Sequence, residues 1–158
     1  MDLARHISEW SKDSTKVGAV LVGPEKEVRL TAFNGPPKGV VDLPERFLSP
    51  GKYLYAAHAE ANLVAFAARA GIRTEGCTVY VTHHPCAACA RSLVQSGVSR
   101  VIAGGGAFSS RSSWESELYA ACMMFQEAGV DFEEWVEGAR DERKVTISDI
   151  IASFKRVI

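Results

Sequence analysis

No long hydrophobic run occurs in this sequence of 158 residues. A helix that spans a bilayer needs about 18 or more apolar residues in succession, and no segment approaches that length. The first residues, Met1 to His6, also lack the positively charged and then apolar pattern of a secretory signal. Both absences argue against a membrane or exported protein, so we expect a cytoplasmic protein with no membrane partner.

An excess of positive charge is also missing. Lys and Arg number 18 against 19 Asp and Glu, which gives a formal net charge of −1 and an isoelectric point near 6.4. Proteins that bind nucleic acid gain much of their affinity by neutralising phosphates, and such domains are usually basic. The composition therefore argues against a polynucleotide partner and favours a small-molecule substrate, for which one or two well-placed cations are enough.

Cysteine is scarce, with four residues, and the chain has no internal repeat or low-complexity segment. The length is that of one ordinary domain. We therefore predict a single domain over residues 1–158, in which about 137–158 form a C-terminal extension helix. Cys86 and Cys89 lie in a metal-binding pattern, which leaves Cys77 and Cys122 as inert thiols.

Two short motifs in the chain can share one metal ion. They are His58-Ala59-Glu60 and Pro85-Cys86-Ala87-Ala88-Cys89. Cys86 and Cys89 are three residues apart, so at a helix start both sulfurs can face one point, where the helix dipole favours their thiolate forms. With His58 as third ligand, one tetrahedral position stays open for water, which is typical of catalytic zinc rather than structural zinc.

Glu60 is the residue that indicates catalysis at this metal site. It lies two residues from His58 and is close enough to accept a proton from a bound water and to deliver it to a leaving amine. The alternatives are a structural zinc site, closed by His83 or His84 as a fourth ligand, and no zinc at all.

The hydrophobic pattern predicts five strands in a mixed sheet. They cover residues 17–22, 28–33, 78–82, 100–103 and 130–135, and helices are predicted over 2–11, 55–70, 86–96, 114–128 and about 148–157. The first two strands would form a hairpin, and the later strand–helix–strand order implies parallel pairing. Because helix 55–70 is apolar nearly all round, we expect it to be buried. Residues 34–53 are rich in Pro and Gly and predict a long loop in the wall of the pocket.

The two metal motifs together have the form found in zinc-dependent nucleobase deaminases. Several further segments resemble the deoxycytidylate (dCMP) deaminases of the cytidine-deaminase-like superfamily: Trp10-Ser11-Lys12-Asp13, Val17-Gly18-Ala19-Val20, Phe33-Asn34-Gly35, Lys52-Tyr53, His58-Ala59-Glu60-Ala61-Asn62 and Glu127-Ala128-Gly129-Val130. The resemblance covers roughly residues 1–134. It implies an α/β fold with three layers, α/β/α, and a Zn²⁺-dependent hydrolysis of dCMP to dUMP and ammonia. In that reaction a zinc-activated water attacks C4 of cytosine, while Glu60 protonates N3 and then the leaving ammonia.

The resemblance also implies substrate contacts. Asn34 would touch the sugar or the base, the backbone of Ala59 would hold the carbonyl of the base, and Lys12 would meet the 5′-phosphate. Pro85 and His84 are further candidate substrate contacts. Candidate phosphate partners in the long loop are Lys38, Arg46 and Lys52. The alternatives are a structural role of Asn34 in its turn, a partly exposed loop position for His84, and plain solvated charge for each loop cation.

Other functions remain open at this stage. A cytidine, guanine, tRNA-adenosine or other small-base deaminase would keep the chemistry and change the substrate, whereas a non-catalytic zinc-binding interaction module would change the class of function. Pro36 stands where the family commonly has an aromatic residue, so we expect this part of the pocket wall to differ from that of the family. The resemblance suggests a homo-oligomer, either a dimer or a hexamer.

Overall fold

The computed structural model describes residues 1–104, 112–135 and 145–154. Its helices are α1 (Asp2–Ser8), α2 (Lys52–Tyr55), α3 (Ala59–Ala70), α4 (Ala87–Gln95), α5 (Ser112–Glu127) and α6 (Ile147–Phe154). Its strands are β1 (Gly18–Val22), β2 (Val28–Phe33), β3 (Thr78–Val81), β4 (Arg100–Gly104), β5 (Asp131–Trp135) and β6 (Val145–Thr146). None of the helices in these segments could reach across a bilayer.

The strands form one mixed sheet in the order β2-β1-β3-β4-β5-β6. As predicted, β1 and β2 form an antiparallel hairpin, and β3, β4 and β5 run parallel to one another. All five predicted strands are present, and each end lies within one residue of its predicted position. The prediction of five strands is wrong by one, because β6 adds two residues antiparallel to β5. Two residues are too few to show a periodic pattern, so only the pairing reveals this strand.

Helices lie on both faces of the sheet. The main core forms on one face, where alternate strand residues such as Leu21, Val79 and Val101 pack against buried residues of α3, α4 and α5. The intervening residues Val20 and Val22 point to the other face and line a cavity together with residues of α1. Gly18 allows α1 to lie directly on β1, since a Cβ at this position would overlap the carbonyl oxygen of Ala4.

Helix 55–70 is interrupted in the structure. Lys52–Tyr55 form a separate single turn, and α3 begins only at Ala59, because His58 has the extended conformation of an N-cap (φ −68°, ψ 156°). Gly71 ends α3 in the left-handed conformation (φ 67°) that glycine adopts most readily. The expected burial all round is also wrong, since Ala65 and Ala68 are exposed in the single chain.

The long loop predicted over 34–53 is largely confirmed, with one 3₁₀ turn at Pro44–Arg46. Its two ends are joined, because Gly35 and Ala57 exchange backbone hydrogen bonds of 3.0 and 2.9 Å. This bridge holds Asn34 close to the start of α3, whatever path the loop takes between them.

The C-terminal helix is present as α6, slightly earlier than predicted. Its buried residues Ile150 and Ile151 belong to the main core, and α6 packs mainly against α5. The rest of the predicted extension, residues 137–144 and 155–158, lies outside the described residues.

Candidate active site

Three side chains converge where two helices begin. The Nδ1 atom of His58 lies 3.5 Å from Sγ of Cys86 and 3.4 Å from Sγ of Cys89. All three candidate ligand atoms lie within 4.8 Å of one another. With Zn–S of about 2.3 Å and Zn–N of about 2.0–2.1 Å, a tetrahedral site places N and S about 3.6 Å apart. Both distances from His58 to the cysteine sulfurs therefore fit a zinc ion bound by the three residues.

The topology explains why these residues meet. Strands β2 and β3 are both antiparallel to β1 and therefore run in the same direction. The chain that follows β2 leads to α3, and the chain that follows β3 leads to α4, so both helices start at the same edge of the sheet. His58 and Cys86 are the N-cap residues of these helices, and neither caps its helix with its side chain. Both side chains are thus left to face the metal position.

No fourth His, Cys, Asp or Glu joins this cluster among the described residues. The ring of His83 contacts the hydroxyl of Thr82 at 3.1 Å instead. The ring of His84 packs on Phe132, with 5.4 Å between ring centroids, and lies 3.6 Å from a carboxylate oxygen of Glu134. The alternative of a structural site closed by one of these histidines therefore does not fit the structure.

Hydrogen bonds within the cluster shift the pKa values of its three side chains. The Cys89 thiol donates a hydrogen bond to Cys86, which lowers the pKa of Cys86 and raises the pKa of Cys89. The hydrogen bond to Cys86 also raises the pKa of His58, against the opposing effect of burial. These are protons that a metal ion would displace, since it binds thiolates and neutral imidazole.

Glu60 is buried beside the three candidate ligands, with 3% of its surface exposed. Burial raises its pKa from 4.5 to about 7, against the opposing effect of its own backbone N–H, which donates to the carboxylate. The nearby charges act in both directions, because His58 lowers this pKa and Cys86 raises it. A carboxyl group with a pKa near neutrality can both accept and donate a proton under ordinary conditions.

Asn34 is held by backbone groups of the segment before β1. Its Oδ1 accepts the N–H of Val17 at 2.8 Å, and its Nδ2 donates to the carbonyl of Thr15 at 2.9 Å. Its own carbonyl accepts the hydroxyl of Ser11 at 2.8 Å. The amide still has one donor and one lone pair to spare, so the structural role and the predicted contact with substrate are compatible.

The predicted substrate contacts beside the metal ligands are buried. Ala59 is the first residue of α3, where backbone N–H groups have no partner within the helix, and it is fully buried. Pro85 is among the most completely buried residues of the chain. His84 is buried too, rather than being the partly exposed loop residue of the alternative reading.

The four candidate phosphate partners differ in their surroundings. Lys12 forms an exposed ion pair with Asp42 at 2.6 Å, and Lys38 is exposed. Arg46 stacks on the ring of Tyr55, 4.4 Å from its centroid, and donates to a backbone carbonyl. Lys52 is largely buried and forms a 3.0 Å ion pair with a buried carboxylate, that of Asp13.

Sequence reasoning missed two residues near the site. Asp13 binds Lys52, and its charge contributes to the raised pKa of His58. Its position in the Ser-Lys-Asp-Ser turn is a usable signal, because Asp in a turn commonly accepts backbone N–H groups. Glu117 in α5 accepts the backbone N–H of Ala87 at 3.1 Å. No local pattern in the sequence indicates that contact.

The sequence is similar to known deaminases. A family model described as the cytidine and deoxycytidylate deaminase zinc-binding region matches residues 1–105. A protein of Aliivibrio fischeri described as an uncharacterized deaminase in the luxG 3′ region is 38% identical over 130 residues, which are 82% of this chain and 86% of that protein. The deoxycytidylate deaminase of Homo sapiens is 34% identical over 137 residues, which are 82% of this chain and 73% of that protein.

Among solved structures, the dCMP deaminase of cyanophage S-TIM5 in complex with dCMP and dUMP has the same fold. It superposes with a TM-score of 0.66 at 24% identity, over 85% of this chain and 92% of that chain. This likeness confirms the α/β fold with helices on both faces of a mixed sheet. The region matched by the family model contains all three residues of the His-Cys-Cys cluster and Glu60.

Proposed function

This chain belongs to the cytidine and deoxycytidylate deaminase family, and from that premise we propose that it hydrolyses dCMP to dUMP and ammonia with the help of Zn²⁺. The observation that carries the proposal is the cluster of His58, Cys86 and Cys89 with Glu60 buried beside it. A deaminase needs an activated water and a group that moves protons to the leaving amine, and this cluster can supply both.

The residues of this chain would divide the chemistry as follows. His58, Cys86 and Cys89 would hold zinc, which when bound lowers the pKa of a water ligand towards about 7. Glu60 would accept a proton from the attacking water and pass it to N3 of the cytosine ring. It would then take the second proton from the hydroxyl now bound to C4 and deliver it to the amino group, which leaves as ammonia. Its pKa of about 7 suits both halves of that transfer. Ala59 and Asn34 would orient the base and the sugar.

Two observations support dCMP over the other substrates. Relatives that cover most of this chain, including the human protein, are named deoxycytidylate deaminases. The net charge of −1 suits a mononucleotide better than a polynucleotide such as tRNA. A non-catalytic zinc module would have no use for a carboxyl group buried beside the cluster.

A panel of substrates tests the proposal. Ammonia release should be measured with dCMP, CMP, dCTP, deoxycytidine and guanine at equal concentrations of zinc-loaded protein. We expect the highest kcat/KM for dCMP. Preference for guanine, or deamination of adenosine in tRNA without activity on dCMP, would contradict the proposed substrate.

We propose Lys12 as a phosphate partner within this active site. Its pairing with Asp42 is solvent-exposed, and such pairs contribute little, so a phosphate could replace the carboxylate. Its neighbours in sequence reach the site, because Ser11 binds Asn34 and Asp13 affects His58. Lys52 already forms an ion pair with Asp13. Phosphate contacts of Lys38 and Arg46 stay predictions.

The Lys12→Met variant separates phosphate recognition from chemistry. Losing a charged hydrogen bond should raise KM for dCMP by about 10-fold or more and leave KM for deoxycytidine unchanged. Lys16→Met is the matched control, because Lys16 also forms an exposed ion pair, with Glu9 at 2.9 Å. An equal effect of Lys12→Met on both substrates would rule out a phosphate contact.

We also propose that the chain is one deaminase domain, forms a homo-oligomer and is cytoplasmic. The packing of α6 on α5 supports one domain. Exposed apolar side chains support an oligomer: Val41 and Leu48 lie in the loop after β2, and Leu54 lies in α2, the single helical turn at the end of that loop. Light scattering on the purified protein would give the number of subunits, and Leu54→Glu should reduce it if this loop lies in the interface. A monomer in dilute wild-type samples would contradict the oligomer.

A further inference from the structure

We infer that Glu117 is a positioning residue that fixes the start of α4 and thereby the two cysteines at the metal site. The inference rests on the proposed zinc-dependent function and adds a residue to the machinery of that site. Its basis is a single contact between two helices: Oε2 of Glu117 accepts the backbone N–H of Ala87 at 3.1 Å, 30 residues away in sequence.

The start of α4 needs an acceptor from elsewhere in the chain. Cys86 is the N-cap residue, a position where Ser, Thr, Asp or Asn normally accepts one of the first backbone N–H groups of a helix. The side chain of Cys86 makes no capping hydrogen bond, and its sulfur lies 3.5 Å from Nδ1 of His58. A residue that serves the metal therefore leaves the helix start without its usual local cap.

Glu117 supplies an acceptor for the first of these N–H groups, that of Ala87, which the side chain of an N-cap residue does not normally reach. Ala87 is the first residue of α4 and is only 8% exposed, so its N–H has little access to water. An unpaired backbone N–H in such a position is unfavourable by an amount comparable to a lost hydrogen bond. A carboxylate at a helix N-terminus also interacts favourably with the helix dipole.

The helix that carries Glu117 is firmly placed. Leu118, the next residue, is buried, as are Ala121, Cys122 and Phe125 further along α5, and all four pack in the core with Ala90 and Leu93 of α4. Because α5 is fixed against α4 by these contacts, Glu117 holds Ala87 from a rigid support. Ala87 directly follows Cys86 and lies two residues before Cys89, so a shift of this first turn would move both sulfurs relative to His58.

The affinity of the protein for zinc tests the positioning role of Glu117 independently of catalytic turnover. We expect Glu117→Ala to bind Zn²⁺ about 10-fold to 100-fold more weakly than the wild type in competition with a chromogenic chelator, the range typical of residues that orient metal ligands. The thiolate-to-metal absorption of the Co²⁺-loaded variant should change as well. Glu117→Gln keeps an acceptor oxygen at the same reach and should restore most of the affinity.

Two controls separate the contact from other effects. Glu127→Ala removes a carboxylate from the same helix, and the described part of the chain shows no hydrogen bond or ion pair to Glu127, so its zinc affinity should equal that of the wild type. Glu117→Asp keeps the charge but is one methylene shorter, and it should bind zinc more weakly than Glu117→Gln. This Asp–Gln comparison decides the matter even if Glu117→Ala fails to fold.

The outcomes distinguish the inference from the proposed function. If the wild type binds zinc and Glu117→Ala matches it in affinity and Co²⁺ spectrum, the positioning role is refuted and the deaminase proposal is untouched. The same follows if Glu117→Asp binds zinc as tightly as Glu117→Gln. If the wild type binds no zinc, both proposals fail together.

Discussion

Glu60 combines two properties that rarely occur together, a carboxyl group and nearly complete burial. Removing a carboxylate from water disfavours its charged form, which is why its pKa is raised to about 7. At another place in a protein, a buried carboxyl group would only make the fold less stable. Beside three candidate zinc ligands it produces an acid and a base in one residue, as a deaminase requires.

Replacing Glu60 should separate metal binding from turnover. We expect Glu60→Gln to retain zinc, because this residue is not one of the three candidate ligands, and to lose activity on dCMP by at least about 10²–10⁴-fold. Cys86→Ala should lose both metal and activity. Metal content by atomic absorption and dCMP turnover measure the two effects, and an active Glu60→Gln enzyme would refute the role of Glu60 in proton transfer.

Burial of Glu60 also predicts a pH dependence of stability in the metal-free protein. Its pKa rises from 4.5 in the unfolded chain to about 7 in the fold. The protonated carboxyl therefore contributes stability that is fully present below about pH 4.5 and is lost as the pH rises through 7. The difference in pKa corresponds to about 3 kcal/mol.

The measurement compares the chelator-treated wild type with Glu60→Gln, a change that removes this titration. The two proteins should have similar free energies of unfolding in urea near pH 4.5, and Glu60→Gln should be more stable at pH 8. A constant difference across this range would show that burial does not shift the pKa of Glu60.

At the scale of elements, the site depends on segments that are fixed by pairs of residues distant in sequence. The ion pair of Lys52 and Asp13 joins α2 to the turn before β1, and Asp13 also accepts the N–H of Thr15 at 2.7 Å. The bridge between Gly35 and Ala57 closes the loop between β2 and α3. Together these contacts set the path by which the chain reaches His58.

Substitutions of two lysines test whether the ion pair of Lys52 and Asp13 stabilises the fold. Lys52→Met leaves the carboxylate of Asp13, whose side chain is 4% exposed, without its cation and should lower the free energy of unfolding by about 3 kcal/mol. Lys12→Met breaks a pair whose side chains are 66% and 47% exposed and should change it by less than about 1 kcal/mol. Urea unfolding of both variants measures the difference, and equal effects would contradict a structural role of Lys52.

On the scale of the whole molecule, the metal site joins the first residues of two helices, α3 and α4. The candidate ligands come from the start of α3 and the start of α4, 28 residues apart. A metal ion bound only by the folded chain stabilises it by mass action. The site should therefore contribute to stability as well as to catalysis.

Removing the metal should lower the melting temperature of the whole protein. We expect a strong chelator to reduce the Tm by about 5 °C or more, and added Zn²⁺ to restore it. The Tm of Cys86→Ala should not respond to either reagent. Differential scanning fluorimetry measures this, and a wild-type Tm that ignores the chelator would show that no stabilising metal is bound.

The sequence alone determined the features that depend on near neighbours. The spacing of Cys86 and Cys89, the placement of Glu60 next to His58 and the five strands of alternating or continuous apolar residues are all local, and the structure contains each of them.

Only the tertiary structure decided that His83 and His84 stay out of the metal cluster, that Asp13 holds Lys52 and that Glu117 supports the start of α4. It also decided that β6 pairs with β5 and that one face of α3 is exposed. These features depend on residues brought together by packing across many positions of the chain, and a contact between distant residues leaves no periodic or local pattern from which it could be read.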